Sequence, residues 1–203
     1  MKLVFATTNP HKADEIREIL GPFGVSVQAL SDVSKRVPEP KENAETLEGN
    51  ARLKAIAYAT ALGMVCLADD SGLEVEALDG APGVHSARYA GVEGTRAERD
   101  QANRNKLVAE LETLGAVDRT ARLVCTLCLA DSQGNVLFET RGAAVARVVS
   151  EARGGQGFGY DAHLYLPDVG KTIAELSAEE WNARSHRGAA ARALAEWLTK
   201  NAR

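Results

Sequence analysis

The chain has 203 residues, 45% of them hydrophobic and 26% charged, enough to close a sizeable core without disulfides or metals as staples. Its formal net charge of −4 excludes a general pull toward nucleic acid or an anionic membrane, so a polyanionic ligand has to be met by local cations or a metal. Three cysteines in no extracellular pattern, no signal-peptide core and no apolar run of transmembrane length point to a cytoplasmic protein with reduced thiols.

In chain order, Leu3 to Thr7 predicts a strand and Pro10 to Leu20 an amphipathic helix that turns Ile16, Ile19 and Leu20 inward, ended by Gly21-Pro22 through Gly24. Val25 to Leu30 is a second strand, and Ser31 to Ala44 is a polar loop in which Pro38 and Pro40 forbid regular structure. A helix over Thr46 to Leu62 has Leu47, Ala51, Ala55, Tyr58, Ala59 and Leu62 on one stripe and Gly63 beyond its end. Met64 to Ala68 and Leu73 to Leu78 read as strands on either side of a tight turn, Asp69-Asp70-Ser71-Gly72. Arg96 to Leu114 is helical, Arg119 to Ala130 and Val136 to Val149 form a hairpin over Asp131 to Asn135, Ala162 to Leu166 is a short strand, and Glu175 to Glu180 and His186 to Lys200 are helical. Alternation in the first half and a hairpin in the second predict an α/β fold with a mixed twisted sheet flanked by helices. With no repeat and no linker, residues 1–203 read as one domain.

Several element ends carry chemistry. Thr7-Thr8-Asn9-Pro10-His11-Lys12 joins a strand to a helix N-terminus, where backbone amides attract phosphate. Asn9 and Pro10 are also an ordinary N-cap and first helical residue. Lys12 is not explained that way, since a cation in the first turn opposes the helix dipole by about 0.3–1 kcal/mol; an anion beside it accounts for it better. Lys54 lies on the apolar stripe of its helix and either snorkels or serves a cleft. In Asp69-Asp70-Ser71-Gly72 either an Asx turn is at work or a carboxylate faces a ligand; in strand geometry the two aspartates point to opposite faces. Gly154-Gly155-Gln156-Gly157-Phe158-Gly159-Tyr160-Asp161 is neither a dinucleotide fingerprint nor a Walker loop. Its glycines allow close backbone approach, and Phe158 either stacks on a base or is buried. Ser185-His186-Arg187-Gly188 opens the last helix, with Arg187 a candidate reader of a carbonyl oxygen or, more plainly, a residue after an N-cap serine. Cys125 and Cys128 lie three apart in a strand and so face opposite sides, which argues against a redox or zinc pair.

Cations, carboxylates and a glycine-aromatic loop at element ends are what a nucleoside triphosphate needs. The four histidines have no metal-ligand spacing, and carboxylates with water suit Mg2+. The ordered set Thr7-x-Asn9-x-x-Lys12, Glu42, Asn50-Ala51-x-x-Lys54-Ala55, Asp69-Asp70-Ser71-Gly72-Leu73, Gly80-Ala81-Pro82-Gly83 with Ser86-Ala87-Arg88-Tyr89, Gly157 to Asp161 and Ser185-His186-Arg187 resembles the inosine/xanthosine triphosphate pyrophosphatases over nearly the whole chain. The resemblance implies a homodimeric, two-lobed enzyme that binds small-molecule nucleotides in a cleft between its lobes. It implies Mg2+-dependent hydrolysis of ITP, dITP, XTP or dXTP between the α and β phosphates, cleansing the nucleotide pool. By the same resemblance Thr7, Thr8, Asn9, Lys12 and Lys54 hold the triphosphate, and Glu42 and Asp70, with Asp69 a further candidate, place the metal. Asp70 is the base for the attacking water, Ser71 touches substrate, Phe158, Gly159, Tyr160 and Asp161 enclose the base, and His186 and Arg187 contact its 6-oxo edge. Similar proteins have a substrate-contacting lysine where this chain has Trp181, which motivates one alternative, a pyrophosphatase of different base preference; a nucleotide sensor without catalysis is another, against which the Asp69-Asp70 pair and Glu42 speak.

Overall fold

The computed structural model describes residues 1–115 and 118–201. A mixed sheet of eight strands, β1 (Lys2–Phe5), β2 (Ser26–Ala29), β3 (Cys66–Val75), β4 (Pro82–Gly83), β5 (Thr120–Ala130), β6 (Val136–Val148), β7 (Leu164–Leu166) and β8 (Lys171–Thr172), runs in the order β2-β1-β3-β5-β6-β7-β8, with β4 on β3. Pairing of β1 with β2 and with β3 is parallel, whereas β3 with β4, β6 with β7 and β7 with β8 are antiparallel. The helices are α1 (Pro10–Leu20), α2 (Leu47–Leu62), α3 (Arg96–Thr113), α4 (Ala178–Asn182) and α5 (His186–Asn201). This is the α/β class with the mixed sheet that the sequence predicts. Among the described residues no helix is long and apolar enough to cross a membrane.

The chain divides into two compact units: Met1–Asp70, Cys125–Ala143 and the segment from Arg184 form the first, and Ser71–Val124 with Ala144–Ala183 the second. In the first unit, Leu3, Phe5, Ile16, Leu20, Leu127 and Leu194 anchor one apolar cluster and Val4, Ala55, Tyr58, Cys66 and Cys128 another. Neighbouring residues of β1 enter different clusters because side chains alternate along a strand. The same alternation separates Cys125 from Cys128, which sit in different clusters as buried thiols. The second unit has its own cluster around Leu73, Val75, Leu107, Leu111, Tyr160 and Leu164.

Two local expectations need correction. The Asp69 to Gly72 segment is not a turn: β3 continues through it to Val75, and Glu76–Leu78 is a 3-10 turn rather than strand. Gly72 serves close approach instead of a left-handed backbone. A Cβ there would lie 2.4 Å from the Gly83 carbonyl oxygen on β4 and 3.1 Å from Ser86 Oγ, and that hydroxyl accepts the Leu73 N–H at 2.8 Å. The helix expected over Glu175 to Glu180 is split into a 3-10 turn at Ile173–Glu175 and α4. The Ser177 hydroxyl caps α4 by accepting from Glu180 N, so the serine starts a new helix rather than continuing one.

Candidate active site

In the first unit the starts of α1 and α5, the middle of α2 and the middle of β3 bring together Lys12, Lys54, Asp69, Asp70, His186 and Arg187. Asn9 caps α1, its Oδ1 accepting from His11 N at 3.1 Å, and Thr7 Oγ1 accepts from Asn9 N at 3.1 Å. Beside this turn opens a cavity of about 510 Å³ whose lining includes Thr7, Thr8, Asn9, Arg36 and Tyr58. Lys12, one turn into α1, donates from Nζ to Asp69 Oδ2 at 2.8 Å. The anion that its unfavourable helix position calls for is thus supplied, in this structure, by a carboxylate of the same chain.

Asp69 is 2% exposed, and Arg187 Nε lies 3.5 Å from the same Oδ2. Burial alone would raise its pKa, but Lys12, Arg187 and Lys54 overcome that and hold the carboxyl well below the usual aspartate range. Arg187 is itself 2% exposed and pairs through Nη1 with Glu15 Oε2. The carboxylates of Glu15 and Asp69 outweigh burial and keep the guanidinium firmly protonated. Ser185 Oγ donates to Glu15 Oε1 at 2.7 Å and accepts from Gly188 N at 2.8 Å, capping α5 while tying it to α1. Gly142 on β6 makes room for that helix start: a Cβ there would fall 2.1 Å from the His186 carbonyl oxygen and 2.6 Å from Ala190 N. His186 is held well below its ordinary pKa by burial first and by Arg187 and Lys12 next, against the opposing pull of Asp69. It is therefore a neutral imidazole at physiological pH.

Asp70 points the other way and meets different partners, as the period-two argument requires. Asn50 Nδ2 donates to Asp70 Oδ2 at 3.1 Å, Lys54 Nζ lies 3.7 Å from Oδ1, and the Asp70 carbonyl oxygen accepts from Thr126 Oγ1 at 3.2 Å. Burial raises the Asp70 pKa, and Glu42 adds to it, more than Lys54 and Asn50 lower it. Two adjacent carboxylates are thereby driven apart, Asp69 to a permanent anion and Asp70 to a weaker acid. Lys54 does not snorkel. Its Nζ is 3.1 Å from Glu42 Oε1, and the carboxylates of Asp69, Asp70 and Glu42 outweigh the depressing effect of burial to raise its pKa.

Glu42 reaches Lys54 because the start of α2 draws the preceding loop inward. Thr46 caps the helix through Gly49 N, Asn50 Oδ1 accepts from Ala44 N at 3.0 Å, and a Cβ on Gly49 would press on Ala44 Cβ at 2.6 Å. Among the described residues no group of three or more His, Cys, Asp or Glu could hold a metal. Glu42 and Asp70 are two hard oxygen donors around one ammonium, which fits Mg2+, an ion commonly held by one or two carboxylates together with substrate phosphates and water.

In the second unit, Phe158 N donates to Asp161 Oδ2 at 2.9 Å, so Asp161 closes the loop on itself. Gly157 (φ +77°) is required there, since a Cβ would collide with that carboxylate. Tyr160 is buried in the apolar cluster, its hydroxyl donating to the Ser86 carbonyl oxygen at 2.8 Å. Phe158 is half-buried, with the Arg96 guanidinium 4.8 Å from its ring centroid. Ser71 is a half-buried residue of β3. Trp181 packs against the cluster of this unit: the position of the expected lysine is filled by an apolar anchor.

Residues 3–197 match the Ham1 family. This chain belongs to the Ham1 family. It is 46% identical over 194 residues to a dITP/XTP pyrophosphatase of an Exiguobacterium species, covering 96% of this chain and 95% of the relative. It is 46% identical over 197 residues to a dITP/XTP pyrophosphatase of Thermus thermophilus, covering 97% and 91%. A Ham1 protein from Coxiella burnetii superposes with a TM-score of 0.87 at 36% identity, covering 98% and 99% of the two chains, and the Staphylococcus aureus Ham1 protein with 0.84 at 34%, with the same coverage. Two residues that organise the site of this Ham1 chain, Glu15 and Asn50, are absent from the roles predicted above. Glu15 is a charged residue on the buried side of α1, three positions after Lys12, and that break in the apolar stripe is the signal that could have found it. Asn50 interrupts the buried stripe of α2 four residues before Lys54 in the same way.

Proposed function

We propose that this chain hydrolyses non-canonical purine nucleoside triphosphates, dITP, ITP, XTP and dXTP, to the monophosphate and pyrophosphate. The observation that carries the reading is the split between Asp69 and Asp70, one paired with Lys12 and Arg187, the other set beside Lys54 and Asn50. The names of the relatives, dITP/XTP pyrophosphatases, supply the substrate class. Water attacks the α-phosphorus, Asp70 takes its proton, and the α–β anhydride bond breaks with pyrophosphate leaving. Lys12 and Lys54, each with three N–H donors, bind the phosphate oxygens together with Thr7, Thr8 and Asn9 at the start of α1. Glu42 and Asp70 would hold Mg2+, which when bound neutralises charge on phosphate oxygens. Asn50 orients the Asp70 carboxylate, and Asp69 fixes Lys12 and Arg187.

In this reading Ser71 touches substrate, and Phe158, Gly159 and Asp161 take the base, with Tyr160 anchoring their loop. His186, neutral, and Arg187, always protonated, favour a 6-oxo edge over an amino group, which would leave a buried donor unpaired. The enzyme is a cytoplasmic homodimer, for which the mass in solution is the check. The decisive experiment is product identification from dITP with Mg2+ alongside dGTP and dTTP. Pyrophosphate and dIMP, formed faster than from either control, are expected; orthophosphate refutes the α–β cleavage, and equal rates refute the base preference.

A further inference from the structure

Helix α3 carries Arg96, Asp100 and Arg104 at spacings of four, which places them on one face. All three side chains end on the glycine-aromatic loop. Arg104 Nη1 donates to the Gly159 carbonyl oxygen at 2.6 Å, and Asp100 Oδ2 accepts the Gly159 N–H at 3.1 Å. The Arg96 guanidinium covers one face of the Phe158 ring, its Nε lying 3.8 Å from the same Asp100 carboxylate. Arg104 is steadied in turn by Gln101, whose Oε1 accepts from Nη2 at 2.9 Å.

Both backbone groups of a single loop glycine are therefore taken by side chains of another element. Gly159 itself sits at φ +61° with nothing within 4 Å of where a Cβ would be, so its conformation, not its surroundings, calls for glycine. A segment rich in glycine loses more backbone entropy on ordering than any other, and fixing it beforehand removes that loss from the binding step. A charge stripe that merely faced water would leave its carboxylate exposed, whereas the Asp100 side chain is only 19% exposed.

We propose that Arg96, Asp100 and Arg104 are positioning residues that hold the Gly157 to Asp161 loop in its base-receiving form, and that through Phe158 they set the affinity for the purine. The proposal rests on the reading above that this loop takes the base. The loss of one charge-assisted bond predicts that Asp100→Ala and Arg104→Ala raise KM for dITP about 5–30-fold. Because phosphate binding is assigned to other residues, competitive inhibition by inorganic tripolyphosphate is expected to stay unchanged. Asp100→Asn, whose amide oxygen still accepts from Gly159 N, is expected to restore most of the affinity. Hydrogen exchange of the Phe158 to Tyr160 amides reads the clamp directly and is expected to quicken in Asp100→Ala. Unchanged exchange overturns the clamp, as does tripolyphosphate inhibition that weakens in parallel with dITP. If KM rises in Phe158→Ala but not in Asp100→Ala, α3 has no part in affinity. If exchange quickens while KM is unchanged in both variants, the assignment of the base to this loop is what fails.

Discussion

Replacing Asp70 by Asn tests the proposed chemistry with little disturbance of the fold. Asn50 Nδ2 donates to Asp70 Oδ2 at 3.1 Å, and the amide oxygen of an asparagine can take over that bond. Lys54 loses a carboxylate oxygen at 3.7 Å but keeps Glu42 at 3.1 Å, so the ammonium is not stranded. Removing a buried charge whose pKa is raised mainly by burial takes away a desolvation cost, and the variant should melt no lower than the parent. What it cannot do is accept a proton from water. A positioned general base contributes about 10²–10⁴-fold, equivalent to about 3–5 kcal/mol of activation free energy. A coupled pyrophosphate assay with saturating dITP and Mg2+ should show kcat falling by that amount, while calorimetry still detects dITP binding. Turnover within about tenfold of the parent would remove Asp70 from proton transfer and refute the argument.

The neighbouring substitution should fail differently. Asp69→Asn leaves Lys12 and the buried Arg187 without their shared anion and should cost about 3–5 kcal/mol of stability, measured by urea unfolding; a variant as stable as the parent contradicts the structural role. His186, held below its ordinary value of 6.5 by burial, Arg187 and Lys12, takes up a proton in the unfolded chain before it does in the folded one. Its contribution is full above about pH 6.5 and is lost as pH falls toward the folded value, so the melting temperature should decline from about pH 7 to about pH 5. His186→Gln should flatten that decline, and an identical pH profile would count against a buried neutral imidazole. The three thiols are buried, and burial pushes Cys66 and Cys128 up to about 12. An aromatic disulfide reagent at about pH 8 should therefore label the native protein only at the rate of unfolding; prompt labelling would show an accessible thiol.

Period and punctuation made much of the fold readable. The bounds of α1 agree to the residue with the reading from Pro10 to Leu20, because proline, the asparagine cap and the glycine after it are local signals. β3 runs through its expected turn for a tertiary reason: Asp-Asp-Ser-Gly has turn composition, but Lys12, Arg187, Lys54 and Asn50, all distant in sequence, satisfy the carboxylates in an extended strand, and Gly72 is needed by β4. No local rule contains those partners. The stripe of α1 marks Glu15 as an anomaly, but the partners that let it be buried, Arg187 and Ser185, lie some 170 positions away. The alternation of side chains, in contrast, does carry over to the site. Consecutive aspartates in a strand must face different surroundings, and here one surrounding holds two cations fixed within the fold while the other offers an amide and a lysine shared with Glu42. An aspartate fully neutralised by its own chain is a poor base, and one whose pKa is raised by burial is a better one, so the chemistry proposed above gives anchoring to Asp69 and proton transfer to Asp70.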